Sequence, residues 1–276
     1  MEHYELFGRI PCVVKLPLES LIESQWPRSL SRGCRFEPVE ANEDFEPQAE
    51  LLIGTGYDRL RHYDGMLGPE YRNPIPEAVQ HPCFQEARDP QGRFAVLGCI
   101  ALILAVDTTK LAGRPMPEAW RDILDPMWER SILYPEDESF LDNTILPLLQ
   151  TLGVPGGAEQ LRRNLLRGVH PAQMQKRGGL CDDAALFVMP YFFAELKSAE
   201  EGVALVWPKE GAIASPVFMT ARHPLSARVQ ELLQKIQEPD FCRALSAQGR
   251  FPSALSVDGT APQGALWFRS WTSLRG

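Results

Sequence analysis

Val206-Trp207-Pro208-Lys209-Glu210-Gly211-Ala212-Ile213-Ala214-Ser215-Pro216 decides the fold, together with Pro117-Glu118-Ala119-Trp120-Arg121-Asp122-Ile123-Leu124-Asp125-Pro126-Met127-Trp128 upstream. Gly211 permits a sharp turn into a strand that starts at Ala212-Ile213. Pro117 and Trp120 suit a short helix stapled onto a larger body. Trp120, Trp128 and Trp207 carry large apolar areas, so their first role is packing.

Strands and helices alternate outward from these stretches. Leu51-Leu52-Ile53 reads as a strand that meets the tight Gly54-Thr55-Gly56 loop, where backbone amides can face a ligand. Phe94 to Val106 is the longest apolar run and reads as buried β structure, bent or divided at Gly98. Further strands are expected at Ile132–Tyr134, Ala184–Pro190, Val203–Trp207 and Ile213–Ala221. Helices are expected at Pro117–Leu124, Asn143–Leu152, Ala158–Leu166 and from Tyr191. Val229, Leu232, Leu233 and Ile236 have helical spacing, and a further helix runs from Asp240 to Gln248 before Gly249. Leu6 to Leu18 is mixed, with Pro17 suited to the first turn of a helix through Leu18, Leu21 and Ile22. Residues 62–90 look irregular. The alternation predicts α/β layers, with ligand-facing loops after strands.

The 276 residues are enough for two small lobes, each with its own core. A net charge of −8 argues against a nucleic-acid partner, because phosphate backbones require clustered Lys and Arg. A cleft can still be locally positive. No apolar run reaches membrane-spanning length, so no membrane insertion is expected. Met1-Glu2-His3-Tyr4-Glu5 lacks the basic start and apolar stretch of a secretory leader, which points to a cytoplasmic chain; a removed leader would make it periplasmic or extracellular. Cys12, Cys34, Cys83, Cys99, Cys181 and Cys242 form no CxxC pair and read as reduced, mostly buried thiols.

The two opening stretches resemble segments of bacterial ABC-transporter solute-binding proteins, with the type II periplasmic binding fold of the ferric-iron class. The likeness spans roughly residues 95–255 and includes Phe241 to Gly249 and Phe251-Pro252. It implies an α/β, two-lobed fold with two crossovers, near 104–107 and 214–218. Lobe 1 would be 1–105 plus 217–276, and lobe 2 would be 106–216. It also implies hinge closure on a ligand between the lobes, a permease partner, no cofactor, no catalysis and a monomer. Three departures stand out. The first residues do not read as an export leader, the usual opening strand and helix are hard to place, and the adjacent tyrosine pair of many ferric-iron binders is reduced to Tyr191-Phe192.

Candidate ligand-binding residues lie at strand ends and crossovers. Thr55, Gly56 and Tyr57 follow the Leu51 strand; a plain turn is the alternative. Asp107, Thr108 and Thr109 follow Val106 and suit an oxyanion, or equally a helix cap. Pro135-Glu136-Asp137-Glu138-Ser139 precedes a helix, where Ser139 or Asp142 could offer the helix N-terminus to an anion; the three acids suit a cation better, and plain capping is the alternative. His170 follows a glycine and is either a ligand contact or a surface residue. Tyr191 offers a phenol to a metal or a polar ligand, or is a core tyrosine. Ser215 sits on the second crossover. Five of these residues, Tyr57, Thr108, Ser139, Tyr191 and Ser215, are expected to line one cleft. Hydroxyls and amides suit an oxyanion or a small polar organic molecule better than ferric iron, which wants several anionic oxygens. There is no GxSxG, HExxH or P-loop. A cytoplasmic enzyme or ligand sensor on the same fold is the alternative function.

Overall fold

A computed structural model describes residues 3–38, 48–78, 80–136, 140–176, 181, 183–249, 252–255 and 263–275. In chain order the elements are β1 (His3–Arg9), α1 (Cys12–Gln25), α2 (Arg28–Ser31), β2 (Cys34–Glu37), β3 (Gln48–Thr55), α3 (Tyr57–Met66), β4 (Tyr71–Arg72) and β5 (Ala95–Asp107). Then come β6 (Ile132–Pro135), α4 (Leu146–Gln150), α5 (Gly157–Asn164), β7 (Leu165–Val169), α6 (Pro171–Met174), β8 (Leu186–Pro190), α7 (Tyr191–Lys197) and β9 (Val203–Val206). The chain closes with β10 (Ala212–Arg222), α8 (Ala227–Ile236), α9 (Pro239–Gly249), β11 (Leu266–Trp267) and α10 (Trp271–Arg275).

The chain forms two compact units. Unit 1 is Met1–Cys99, Pro216–Ala261 and Ser270–Gly276; unit 2 is Ile100–Ser215 and Pro262–Arg269. The chain therefore changes unit within β5, between Cys99 and Ile100, and within β10, between Ser215 and Pro216. The first change lies upstream of the expected 104–107, inside β5, which runs unbroken through both places.

In unit 1, β1 pairs parallel with β2 (Leu6↔Cys34) and with β3 (Leu6↔Leu51). β3 then pairs antiparallel with β10 (Ile53↔Met219). The opening strand and helix, hard to place by pattern, are β1 and α1. Leu6 and Phe7 of β1 are fully buried. α1 begins at Cys12, so Pro17 sits inside the helix rather than at its first turn. α3 occupies the start of a stretch that reads as irregular; Leu60 and Tyr63 pack with Phe7, Phe94, Phe218 and Trp271. Ser226 accepts from the Val229 amide and caps α8, whose buried face is Val229, Leu232, Leu233 and Ile236.

In unit 2, β5 pairs antiparallel with β8 (Leu104↔Val188) and β9 (Leu104↔Val206). β8 pairs parallel with β6 (Ile132↔Leu186), and β6 with β7. β7 lies where a helix through Leu166 was expected. β5 is apolar on both faces because both are covered, the condition under which strands lose alternation. The two opening stretches lock together here. Trp120 Nε1 donates to the Gly211 carbonyl at 2.7 Å, and the Glu210 carboxylate accepts the Trp120 amide at 2.9 Å. Gly211 has φ +110°, and a Cβ there would lie 2.9 Å from the Ala265 carbonyl oxygen, so glycine is required. Asn164, fully buried, donates to the Ile123 and Asp125 carbonyls and ties α5 to the same segment.

Candidate functional site

In unit 1 the C-terminal ends of β1 and β3 share one edge, since Gly8 pairs with Ile53. This is where parallel strands of an α/β layer present ligand groups. Arg9 ends β1 and is 1% exposed, with its guanidinium carbon 5.9 Å from the Phe7 ring. α1 begins just beyond it, with no acidic residue in its first turn and no side-chain cap, so its first amides keep their partial positive charge. Thr55 ends β3, 8% exposed, and its hydroxyl finds no hydrogen-bond partner among the described residues. Gly56 takes φ +87° at the start of α3 and donates its amide to the Pro216 carbonyl at 2.9 Å. Tyr57 is a core residue, 2% exposed, packed in the cluster of Phe7, Leu60 and Phe218. Arg59, also buried, stands over the Tyr63 ring.

Arg9 was not among the residues singled out from sequence. Its only signal is a basic residue at the end of a short strand, immediately before Ile10-Pro11.

In unit 2, Tyr191 opens α7 and is largely buried; its phenol donates to Glu195 at 2.5 Å and its ring meets Trp207 edge-on at 5.6 Å. Ser215 is fully buried, with no partner for its hydroxyl among the described residues. His170 caps α6, its Nδ1 accepting the Ala172 amide at 3.2 Å. Asp107 accepts from the Thr109 amide and hydroxyl and pairs with Lys110 at 3.2 Å. Burial pushes the Asp107 carboxyl up, but these bonds from Thr109 and Lys110 outweigh it and hold the group below its ordinary value. Thr108 donates to the Gly202 carbonyl at 2.7 Å. Asp107-Thr108-Thr109 is thus a self-satisfied turn. Ser139 lies outside the described residues.

The β5–β8 register separates these groups. Leu102 faces Pro190 and Val106 faces Leu186. Tyr191 therefore sits at the Ile100 end of β5 and Asp107 at the other, roughly 17 Å along the strand at about 3.4 Å per residue. Tyr191 and Thr108 do not share a site. Asp107 instead lines an open pocket of about 630 Å³, together with Lys110, Lys197, Phe187 and Glu200. Among the described residues, no group of three His, Cys, Asp or Glu could hold a metal ion. No helix among them is long and apolar enough to cross a membrane.

Two α/β units, with β5 and β10 each passing from one to the other, define the class: this is the type II periplasmic-binding-protein fold. Solved structures agree. Iron-bound HitA from Pseudomonas aeruginosa superposes with a TM-score of 0.63 at 14% identity, covering 99% of this chain and 92% of that one. AfuA from Actinobacillus pleuropneumoniae, with exogenous fructose-6-phosphate bound, gives 0.63 at 14% identity, covering 99% and 90%. The spermidine/putrescine ABC transporter substrate-binding protein PotD from Streptococcus pneumoniae, in complex with calcium and HEPES, gives 0.59 at 14% identity, covering 92% and 84%. No curated protein matches the chain. Residues 61–268 match the bacterial extracellular solute-binding protein family, and the chain belongs to it. It is a solute-binding protein of the ABC-importer type, with the fold of the ferric-iron class.

Proposed function

We propose that this chain captures a small anionic solute and delivers it to an ABC permease, as an exported monomer that performs no chemistry on its cargo. The solute's oxygens are taken at the C-terminal edge of β1 and β3. The observation that carries this reading is Arg9, 1% exposed at the end of β1 and directly before the start of α1. A guanidinium presents a rigid fork of donors that matches carboxylate or phosphate oxygens. The first amides of α1 add to it, and the Thr55 hydroxyl has capacity to spare. AfuA, of like fold, has fructose 6-phosphate bound, which supports an anionic solute here. Ferric iron is disfavoured by the donor set. It requires several anionic oxygens, whereas the Tyr191 phenol is engaged with Glu195 and its neighbour is Phe192. Export is supported by the extracellular description of the family.

Isothermal titration with inorganic phosphate, citrate, fructose 6-phosphate, spermidine and ferric citrate tests the reading. An anionic probe should bind, and Arg9→Met should weaken it by about tenfold or more while Arg9→Lys retains part of the affinity. Binding of spermidine alone would overturn the reading. So would ferric citrate producing a phenolate charge-transfer band that disappears in Tyr191→Phe.

A further inference from the structure

The pocket of about 630 Å³ in unit 2 lies within the size range of small-molecule sites, roughly 300–1,000 Å³. Its most unusual wall residue is Lys197, the last residue of α7, which is only 2% exposed. Lysine is almost never buried unless its charge is met. The ammonium has three donors. Among the described residues it makes one hydrogen bond, to Glu200 at the long distance of 3.5 Å, and rests 4.3 Å from the centre of the Phe187 ring. A ring face attracts the cation but accepts none of the N–H groups as a carboxylate would.

Besides Glu200, the acids on the pocket wall are Asp107 and the exposed Glu201. Asp107 is committed to Thr109 and Lys110. Lys110 spends two of its donors, on Asp107 and on the Cys181 carbonyl at 3.2 Å. Unused capacity on the lysines is therefore donor capacity, and it calls for an acceptor. Val203 and Phe187 add apolar wall for a carbon body.

We propose that this pocket is a second ligand site, and that it takes a small organic acid whose carboxylate accepts from Lys197. Lys110 provides a further donor at the rim. The site lies at the Asp107 end of β5, away from the Ile100 end, and does not depend on the anion site assigned to unit 1. It would let a solute-binding chain respond to a metabolite that it does not transport.

Saturation-transfer NMR on the full chain tests this, with succinate as probe and ethylammonium as control, at matched ionic strength. Succinate should show transfer and ethylammonium none. Lys197→Met, which keeps the aliphatic stem, should weaken succinate by about tenfold or more. Arg9→Met removes any succinate bound at the proposed solute edge, so the transfer that remains in that variant reads the unit 2 pocket alone. Glu200→Ala removes the carboxylate that competes for the Lys197 ammonium and should tighten binding, so the test survives if Lys197→Met fails to fold. No transfer to succinate in Arg9→Met overturns the proposal, as does full retention when Lys197→Met is added to that variant.

Discussion

Replacing Arg275 with Met should destabilise unit 1 by about 3 kcal/mol at neutral pH, at the lower end of the roughly 3–5 kcal/mol expected when one partner of a buried ion pair is removed. Arg275, in α10, bonds Asp89 at 2.7 Å and Asp64 at 2.8 Å, and Arg93 reaches Asp64 at 2.9 Å. The Asp89 side chain is 0% exposed. Without Arg275 its carboxylate keeps the amides of Gln91, Arg93 and Phe94 at 3.0, 2.8 and 3.1 Å, and for that reason the cost falls at the low end. Burial pushes the Asp89 carboxyl up, and bonds from Arg275 and the backbone more than reverse this and hold the group below its ordinary value. A depressed folded value means stability that is present above the unfolded value and lost as pH falls through the folded one. The gap between wild type and Arg275→Met should therefore be full at neutral pH and close as pH drops below about 4. Thermal unfolding should shift by roughly 6–12 °C, at about 2–4 °C per kcal/mol for a domain of this size. The double variant Arg275→Met/Asp89→Asn should recover part of the loss, since no buried charge is left unmet. A midpoint equal to wild type, or a gap that does not change with pH, would refute the reasoning.

Other outcomes follow from the same geometry. Trp120→Phe removes the bond to the Gly211 carbonyl and leaves that buried acceptor unmet, so chemical denaturation should show a loss of about 1–3 kcal/mol. Gly211→Ala should cost at least as much, because the residue holds φ +110° against the Ala265 carbonyl; an unchanged denaturation midpoint would contradict it. Cys12 and Cys83, which are exposed, should react with a thiol reagent in the native protein. Cys34, pushed to about 12 by burial and then by Glu5, and Cys242, pushed to about 11 chiefly by burial, should react far more slowly. Mass spectrometry of the labelled peptides reads the order, and rapid native labelling of Cys242 would show the burial to be wrong.

What local pattern alone determined is the α/β class and its kinship. The apolar run that became β5, the Ser226-capped helix with its Val229–Ile236 face, and the two Trp-bearing stretches are all written in neighbouring residues. Periodicity and caps report the environment of a segment without reference to the rest of the chain. Those stretches were diagnostic because Trp120, Glu210 and Gly211 constrain one another so tightly. Only tertiary structure decided where site groups meet. Tyr191 and Thr108 both follow strands, and nothing local shows that the antiparallel β5–β8 register puts them at opposite ends. β1 carries mixed residues, and its place is settled by pairing with both β2 and β3. Arg9 and Lys197 look like ordinary surface cations in the sequence. Their burial arises from segments distant along the chain, because strand register and burial are properties of pairing partners that no single segment contains.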